Sequence, residues 1–247
     1  FKKLHDVYLN IFKRIGINII PVVSDGGTMG ERVSEEYQAF TTLGEDIILY
    51  DEKNNIGLNK EVLEFEDKET FIKAFGVSDI NNLKEYNALE LGNNFELGTK
   101  YSDSMQLYYI DENGESKPYY MGCYGIGIGR IIACILENNL IKENNKIKGF
   151  AIPYNIAPYK VQIIYTENNK EFANKLYDLL LANNIPVIID DREDLTIGNR
   201  ITDTFVMGTP KLIIIGNKFD GINYELEDTK TNEKVSVTFE NLLRELK

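Results

Sequence analysis

One histidine in 247 residues, His5, and two cysteines, Cys123 and Cys134, leave little from which to build a zinc centre or a disulfide scaffold. The two cysteines lie eleven residues apart within one strand-turn-helix unit, and unpaired thiols fit a reducing compartment. Basic residues are also short. Lys and Arg number 27 against 39 Asp and Glu, a net charge of −12. Residues 151–247 carry 11 basic and 15 acidic residues and the remainder 16 and 24, so neither part is a generic phosphate binder. Any nucleic-acid contact must come from local geometry. No apolar run approaches the roughly 20 residues that span a bilayer. The opening "FKKLHDVYLNIFKR" is amphipathic and lacks the continuous apolar core of a signal peptide. Phe1 in place of Met raises the expectation of processing, truncation or partial coverage.

What is present reads as a soluble globular chain, 43% hydrophobic and 27% charged, long enough for two ordinary domains. Leu4, Val7, Tyr8, Ile11, Phe12 and Ile15 recur at helical spacing, which predicts an amphipathic helix over 1–15 ended by Gly16. "INIIPVV" (17–23) predicts a strand, "SDGGTMG" (24–30) a loop and "IILY" (47–50) a buried strand, while "SEEYQAFTTLGED" (34–46) is ambiguous. Residues 51–87 are polar and Asn-rich; they predict a linker or small insertion with one short helix at "ETFIKAFG". Strand signals return at 88, with a hairpin turned at Asp111-Glu112-Asn113-Gly114. "GRIIACILENN" predicts a helix buried on most faces, and the polar stretch 138–149 a boundary. Beyond it strand and helix alternate, from "YKVQIIYT" to "PKLIIIGN", closed by a charged hairpin and a short helix. That grammar predicts an α/β domain at 150–247.

"MGCYGIGIGR" (121–130) carries the chemistry. A period of two is that of a strand, so Gly125, Gly127 and Gly129 are expected on one bare face, with Ile126 and Ile128 in the core. A glycine floor suits a planar base, and the Arg130 guanidinium can stack on a ring or pair with phosphate. Close helix packing is the alternative use of the glycines. The dinucleotide fingerprint G-x-G-x-x-G is not met, because Arg130 stands where its third glycine belongs.

"MGCYGIGIGRIIACILE" resembles motif 3 of class II aminoacyl-tRNA synthetases, in the bacterial and organellar prolyl-tRNA synthetase version. "YLNIFKRIGINIIPVVSDGGTMGERVSEEYQAFTTLGED" and "LGNNFELGTKYS" are similar to that family's segments before motif 3. "NIAPYKVQIIY", "IPVIIDDRED" and "MGTPKLIIIGN" resemble its anticodon-binding domain. The resemblance covers nearly the whole chain outside 51–87. It implies an α+β antiparallel-sheet class II synthetase catalytic domain, in part (1–149, with a short insertion at about 51–87), followed by an α/β mixed five-stranded anticodon-binding domain (150–247). The implied activity is ATP-dependent formation of prolyl-adenylate and transfer of the prolyl group to tRNA(Pro).

The implied ATP site is Glu90, Asn93, Gly125, Gly127, Gly129 and Arg130, with Arg130 the catalytic arginine and Glu90 near ribose and Mg²⁺. Phe95 and Cys123 match proline-pocket positions. From sequence alone a surface acid is the alternative reading of Glu90, and Phe95 reads equally as a core aromatic. Asn93 stands where the family often has histidine, Glu35 replaces the histidine of "SHEF", and "GERV" departs from a more glycine-rich pattern. These three departures bear on the wall of the proline pocket. His5 reads as a surface helix residue. Asp190, Asp191, Arg192 and Glu193 follow a strand end, where Arg and Asp can read the guanines of the proline anticodon; a charged solvated loop is the alternative.

The family's large editing domain is expected to be lacking, and motifs 1 and 2 are expected to precede Phe1. The complete protein is expected to be a homodimer in the bacterial cytoplasm, or in an organelle matrix, with no membrane association. Two alternatives compete with a proline ligase: a synthetase-like accessory or RNA-binding protein without ligase activity, and a sibling enzyme for threonine, glycine or histidine. "GTKYS" and "MGCYGIG" favour proline.

Overall fold

A computed structural model describes residues 1–30, 32–77 and 79–247, so that Glu31 of the "GERV" departure lies outside the described residues. The chain divides into two compact units, Phe1–Cys134 and Ile135–Lys247.

The first unit opens with α1 (Lys2–Ile15), which buries Tyr8 and Phe12 and ends at Gly16 with φ 87°. The Gly16 N–H donates to Lys13 O and the Ile17 N–H to Phe12 O, the paired bonds of a Schellman cap. Ile17 is therefore consumed by the cap. β1 runs over Ile20–Asp25, three residues later than the sequence predicts. β2 (Val33–Phe40) follows, then β3 (Asp46–Asp51) and β4 (Ile56–Asn59). After a 3-10 turn come α2 (Lys68–Phe75), the long β5 (Lys84–Gly98) and α3 (Lys100–Ser104). A small hairpin, β6 (Tyr108–Ile110) and β7 (Ser116–Pro118), turns at Asp111–Glu115 as expected. β8 (Met121–Ile126) leads into α4 (Ile128–Asn138).

The pairings of the first sheet close on themselves. β1 pairs β2, β2 pairs β5, β5 pairs β3, β3 pairs β4, and β4 returns to β1. All are antiparallel except the last, a parallel contact of two residue pairs, Val22↔Gly57 and Val23↔Leu58. β8 lies outside this ring, antiparallel to the second half of β5.

Residues 51–87 are thus not a linker. They supply β4 to the ring, and Leu58, Val62, Phe71 and Phe75 are buried with Val23 and Leu49 in one core cluster. Arg32 fastens the segment further: its guanidinium lies 4.8 Å from the Phe65 ring centroid and 4.7 Å from that of Phe71, and Nε meets Asp67 at 2.6 Å. The apolar residues are spaced among Asn, Lys and Glu, which hides the burial from composition.

The second unit carries a hairpin, β9 (Leu140–Glu143) and β10 (Lys146–Phe150), where the sequence predicts a polar boundary. Ile141 and Ala151 pack on Phe205, which explains its order despite its charge. β11 (Val161–Tyr165), α5 (Lys170–Ala182), β12 (Val187–Asp190), α6 (Ile197–Met207), β13 (Lys211–Ile215), β14 (Asn223–Asp228), β15 (Lys234–Thr238) and α7 (Phe239–Glu245) follow as the alternating grammar predicts. The sheet order is β12-β11-β13-β14-β15, a mixed five-stranded sheet: β11 is parallel to β12 and β13, and β13, β14 and β15 are antiparallel. Val161, Ile163 and Tyr165 face the core with Leu176 and Leu180 of α5 and Leu242 of α7. Alternation turns Gln162 and Ile164 to the opposite face, toward α6.

Candidate active site

Cross-strand register assembles the site. Glu36 of β2 lies opposite Asn93 of β5, and Asn93 lies opposite Gly125 of β8. Gln38 lies opposite Glu90, and Phe95 opposite Cys123. Paired residues share a face, so these side chains form one patch on the sheet. Asn93 Nδ2 donates to Glu90 Oε1 at 2.7 Å. Arg130 reaches from the first turn of α4 and donates from Nη1 to Glu90 Oε2 at 2.7 Å and to Glu90 O at 3.2 Å. Every residue expected at the ATP and proline sites except Gly127 and Gly129 therefore lies on this face or touches it.

The glycines do not all lie on a strand. β8 ends at Ile126 and α4 begins at Ile128, so Gly127 is the switch and Gly129 is in the helix. The Gly127 N–H donates to Leu91 O and its carbonyl accepts from Ile131, one bond of the sheet and one of the helix. Ile128 consequently points outward, 64% exposed, rather than into the core, and Ile132 is exposed beside it. α4 is buried only along Ile131, Cys134 and Ile135. Among the glycines the close approach is at Gly125: a Cβ there would stand 2.8 Å from Asn93 Oδ1. A Cβ at Gly129 would meet nothing within 4 Å.

The underside of the patch is braced by α1. Tyr8 donates its hydroxyl to Gly125 O at 3.1 Å and stacks on the buried Tyr37 at 4.7 Å. Glu35, whose departure from the family pattern bears on the proline pocket, falls on this underside, because it alternates with Glu36. It accepts from His5 Nδ1 at 2.8 Å, from the Tyr37 hydroxyl, and from Asn94. His5 is thus an anchor between α1 and β2.

Three participants escape sequence reading. Glu36, Gln38 and Asp46 sit beside Glu90, with Gln38 Nε2 donating to Glu36 at 2.6 Å and to Asp46 at 3.0 Å. The signal for Glu36 and Gln38 is the alternation in "SEEYQAF", visible only once that stretch is read as a strand, while Asp46 opens β3 and carries no such signal. Burial, together with the Glu90 and Asp46 charges, outweighs the Gln38 bond and pushes the Glu36 carboxyl up to about 7; Asp46 is raised by burial and then by Glu90.

A carboxyl that keeps its proton longer folded than unfolded gives the folded state more bound protons between the two pKa values. Stability is then fully present below about 4.5 and falls as pH rises through about 7. The loss is on the order of 3 kcal/mol at most, less whatever solvent screens. Glu36→Gln is expected to flatten that decline in urea midpoints measured from pH 5 to pH 8. An unchanged slope in the variant would assign the decline to other groups.

In the second unit the expected reader loop divides. Asp190 is buried, with its carboxylate taken by Arg192: Nε donates to Oδ1 at 2.9 Å and Nη2 to Oδ2 at 2.7 Å. Burial would raise this carboxyl, but the Arg192 bonds hold it below the ordinary range. Asp190 is therefore an anchor and not an exposed reader. Arg192 also meets Asp203 at 2.8 Å, and Glu193 pairs with Lys170 at 2.6 Å. Asp191 is exposed. A participant unforeseen in the sequence is Arg200, buried on α6, which donates to Asp190 O at 3.0 Å and Tyr165 O at 2.8 Å and so clamps the ends of β12 and β11.

Residues 1–139 match the family model of the tRNA synthetase class II core domain (G, H, P, S and T), and residues 156–247 match that of the anticodon binding domain. A proline--tRNA ligase of Rickettsia akari is 32% identical over 100% of this chain and 60% of its own length. One of Sulfurimonas denitrificans is 31% identical over 96% and 57%. The chain spans between 51% and 60% of the length of the curated relatives it matches. A prolyl-tRNA synthetase of Cryptosporidium parvum, solved with L-proline and AMP, shares the fold at a TM-score of 0.66 and 17% identity, covering 99% of this chain and 47% of the other. No helix among the described residues is long and apolar enough to cross a membrane.

Proposed function

We propose, from the premise that this chain belongs to the class II tRNA synthetases of the G, H, P, S and T group, that it works as part of a proline--tRNA ligase. ATP and proline give prolyl-adenylate and pyrophosphate, and the prolyl group then passes to the 3′ end of tRNA(Pro). The observation that carries this reading is the convergence of Arg130, Glu90, Asn93 and Gly125 on one sheet face. Gly125, without a Cβ, makes room for the Asn93 amide beside Glu90, and the adenine ring is proposed to lie against this face, with Gly127 and Gly129 continuing the approach to the helix. Arg130 is half-exposed, and its bond to Glu90 is of the weak, solvent-screened kind, so the guanidinium is free to turn to phosphate oxygens. Phe95 and Cys123, one step along the same two strands, form the wall for the proline ring.

The residues also fit Mg²⁺. Among the described residues no three carboxylate, thiol or imidazole groups are arranged to hold a metal alone. Mg²⁺ does not need three, since it takes one or two carboxylates and completes its shell with water and phosphate oxygens. Glu90, with the Glu36 and Asp46 charges beside it, offers that donor. When bound, the ion neutralises phosphate charge.

Asp191, Arg192 and Glu193 are proposed to face the anticodon, with Asp190 holding Arg192 in place. The complete enzyme is proposed to be a homodimer acting in the bacterial cytoplasm, in keeping with its bacterial relatives. The full-length protein is expected to exchange pyrophosphate into ATP with proline and not with threonine, glycine or histidine. Binding of tRNA without exchange for any amino acid would favour an accessory protein instead.

A further inference from the structure

β8 stands outside the ring of the first sheet, and among the described residues β5 is its one strand neighbour. Yet it carries Gly125, against which the site is stacked. The Asn93 amide lies where a Gly125 Cβ would crowd it, at 2.8 Å. The same amide donates to Glu90, and Glu90 accepts from Arg130. Any displacement of the Gly125 peptide toward this face therefore presses on Asn93 and, through it, on the pair Glu90 and Arg130.

One side chain reaches that peptide from beneath. Tyr8 of α1 donates its hydroxyl to Gly125 O at 3.1 Å. The approach needs a second glycine, because a Cβ at Gly92 would stand 3.1 Å from Tyr8 Cε1 and 2.8 Å from Gly125 O. Tyr8 is 3% exposed, and its ring lies 4.7 Å from that of Tyr37. Tyr37 is fully buried and holds its own hydroxyl between Glu35 and Asn94. A support locked in this way by packing and hydrogen bonds holds its target to a fraction of an ångström.

Packing alone does not call for the hydroxyl. Phe12, one turn further along α1, is fully buried with its ring 6.1 Å from the same Tyr37 ring and carries none. Burial raises the Tyr8 phenol above its ordinary range, which keeps it a neutral donor.

We propose that Tyr8 is a positioning residue for the ATP site: its hydroxyl fixes the Gly125 peptide, and with it the seat of the Asn93 amide beside Glu90 and Arg130. The proposal rests on the reading of this face as the ATP site. It assigns the ordering of β8 before ATP arrives to a helix on the opposite face of the sheet, so that binding does not have to supply that order.

The test is ATP–pyrophosphate exchange by the full-length protein, with ATP and proline varied separately. Tyr8→Phe keeps the ring and removes the bond. It is expected to raise the KM for ATP about three- to tenfold, the worth of one hydrogen bond, with kcat and the KM for proline within about twofold of the parent. Tyr37→Phe is the control, since it removes a buried hydroxyl from the same stack but none that reaches β8. It is expected to lower the urea midpoint and to leave the KM for ATP unchanged. An equal rise in both variants would be a general softening of the underside and overturns the assignment. So does a Tyr8→Phe protein with the parent's KM for ATP, or one in which the KM values for ATP and proline rise together. In each of those cases the ATP site stands. Wild-type protein that exchanges with no amino acid overturns the reading of the site along with the proposal.

Discussion

Arg130→Ala lowers proline-dependent ATP–pyrophosphate exchange at least about tenfold in the full-length protein, the loss of one charged contact at roughly 1.5–3 kcal/mol. The reason lies in what Arg130 does without substrate. Its side chain is 48% exposed, and Glu90, its one ion-pair partner among the described residues, holds it through an ion pair of small net value. The fold does not depend on it, so the variant should unfold at the same denaturant concentration as the parent. Charge develops on the departing pyrophosphate, and a guanidinium already placed there stabilises it without reorganisation. Arg130→Lys keeps the charge and loses the planar fork, so it should recover only part of the rate. Exchange by Arg130→Ala within twofold of the parent would remove Arg130 from the site.

Phe71→Ala costs about 3–5 kcal/mol of stability in the first unit. Phe71 is fully buried, shares a cluster with Leu58, Val62 and Phe75, and carries the Arg32 guanidinium on its face. Truncation opens a cavity against a ring strand and removes that cation contact together. Lys73→Ala on the exposed side of α2 is the control and should cost little. Denaturant unfolding followed by exchange of β4 amides measures both. A loss below about 1 kcal/mol for Phe71→Ala would mean that 51–87 only decorates the ring.

These two residues also mark where the sequence was and was not legible. The second unit could be read almost element by element, because "VQIIY", "VIID" and "KLIII" are apolar runs separated by amphipathic helices. β2 could not. Glu35, Glu36, Gln38 and Ala39 favour helix by themselves, and the strand exists because β1 and β5 pair on both its edges. With β2 unread, Glu36 and Gln38 had no face. A bulge between Tyr37 and Gln38 in the β2–β5 ladder, which sets Gln38 opposite Glu90, leaves no mark in composition. The glycines misled for a related reason: "GIGIG" keeps its period of two through Ile128, although the chain becomes helical after Gly127. Gly125 and Arg130 are legible in the glycine run itself, Glu90 and Asn93 only through the family resemblance, and the register that gathers them is a property of three strands at once.

The ring of strands has a further meaning in the order of synthesis. Everything it needs lies between Ile20 and Gly98. β8 and Arg130, which turn one of its faces into a place for chemistry, come later in the chain. Pairings distant in sequence form slowly, and β2 with β5 is the long-range step of closure. A chain emerging from the ribosome can therefore finish its scaffold, with Glu90 and Asn93 on it, before Gly125 and Arg130 exist. β8 then docks onto a strand already held on its other side, and the reactive face is the last part of the first unit to be completed.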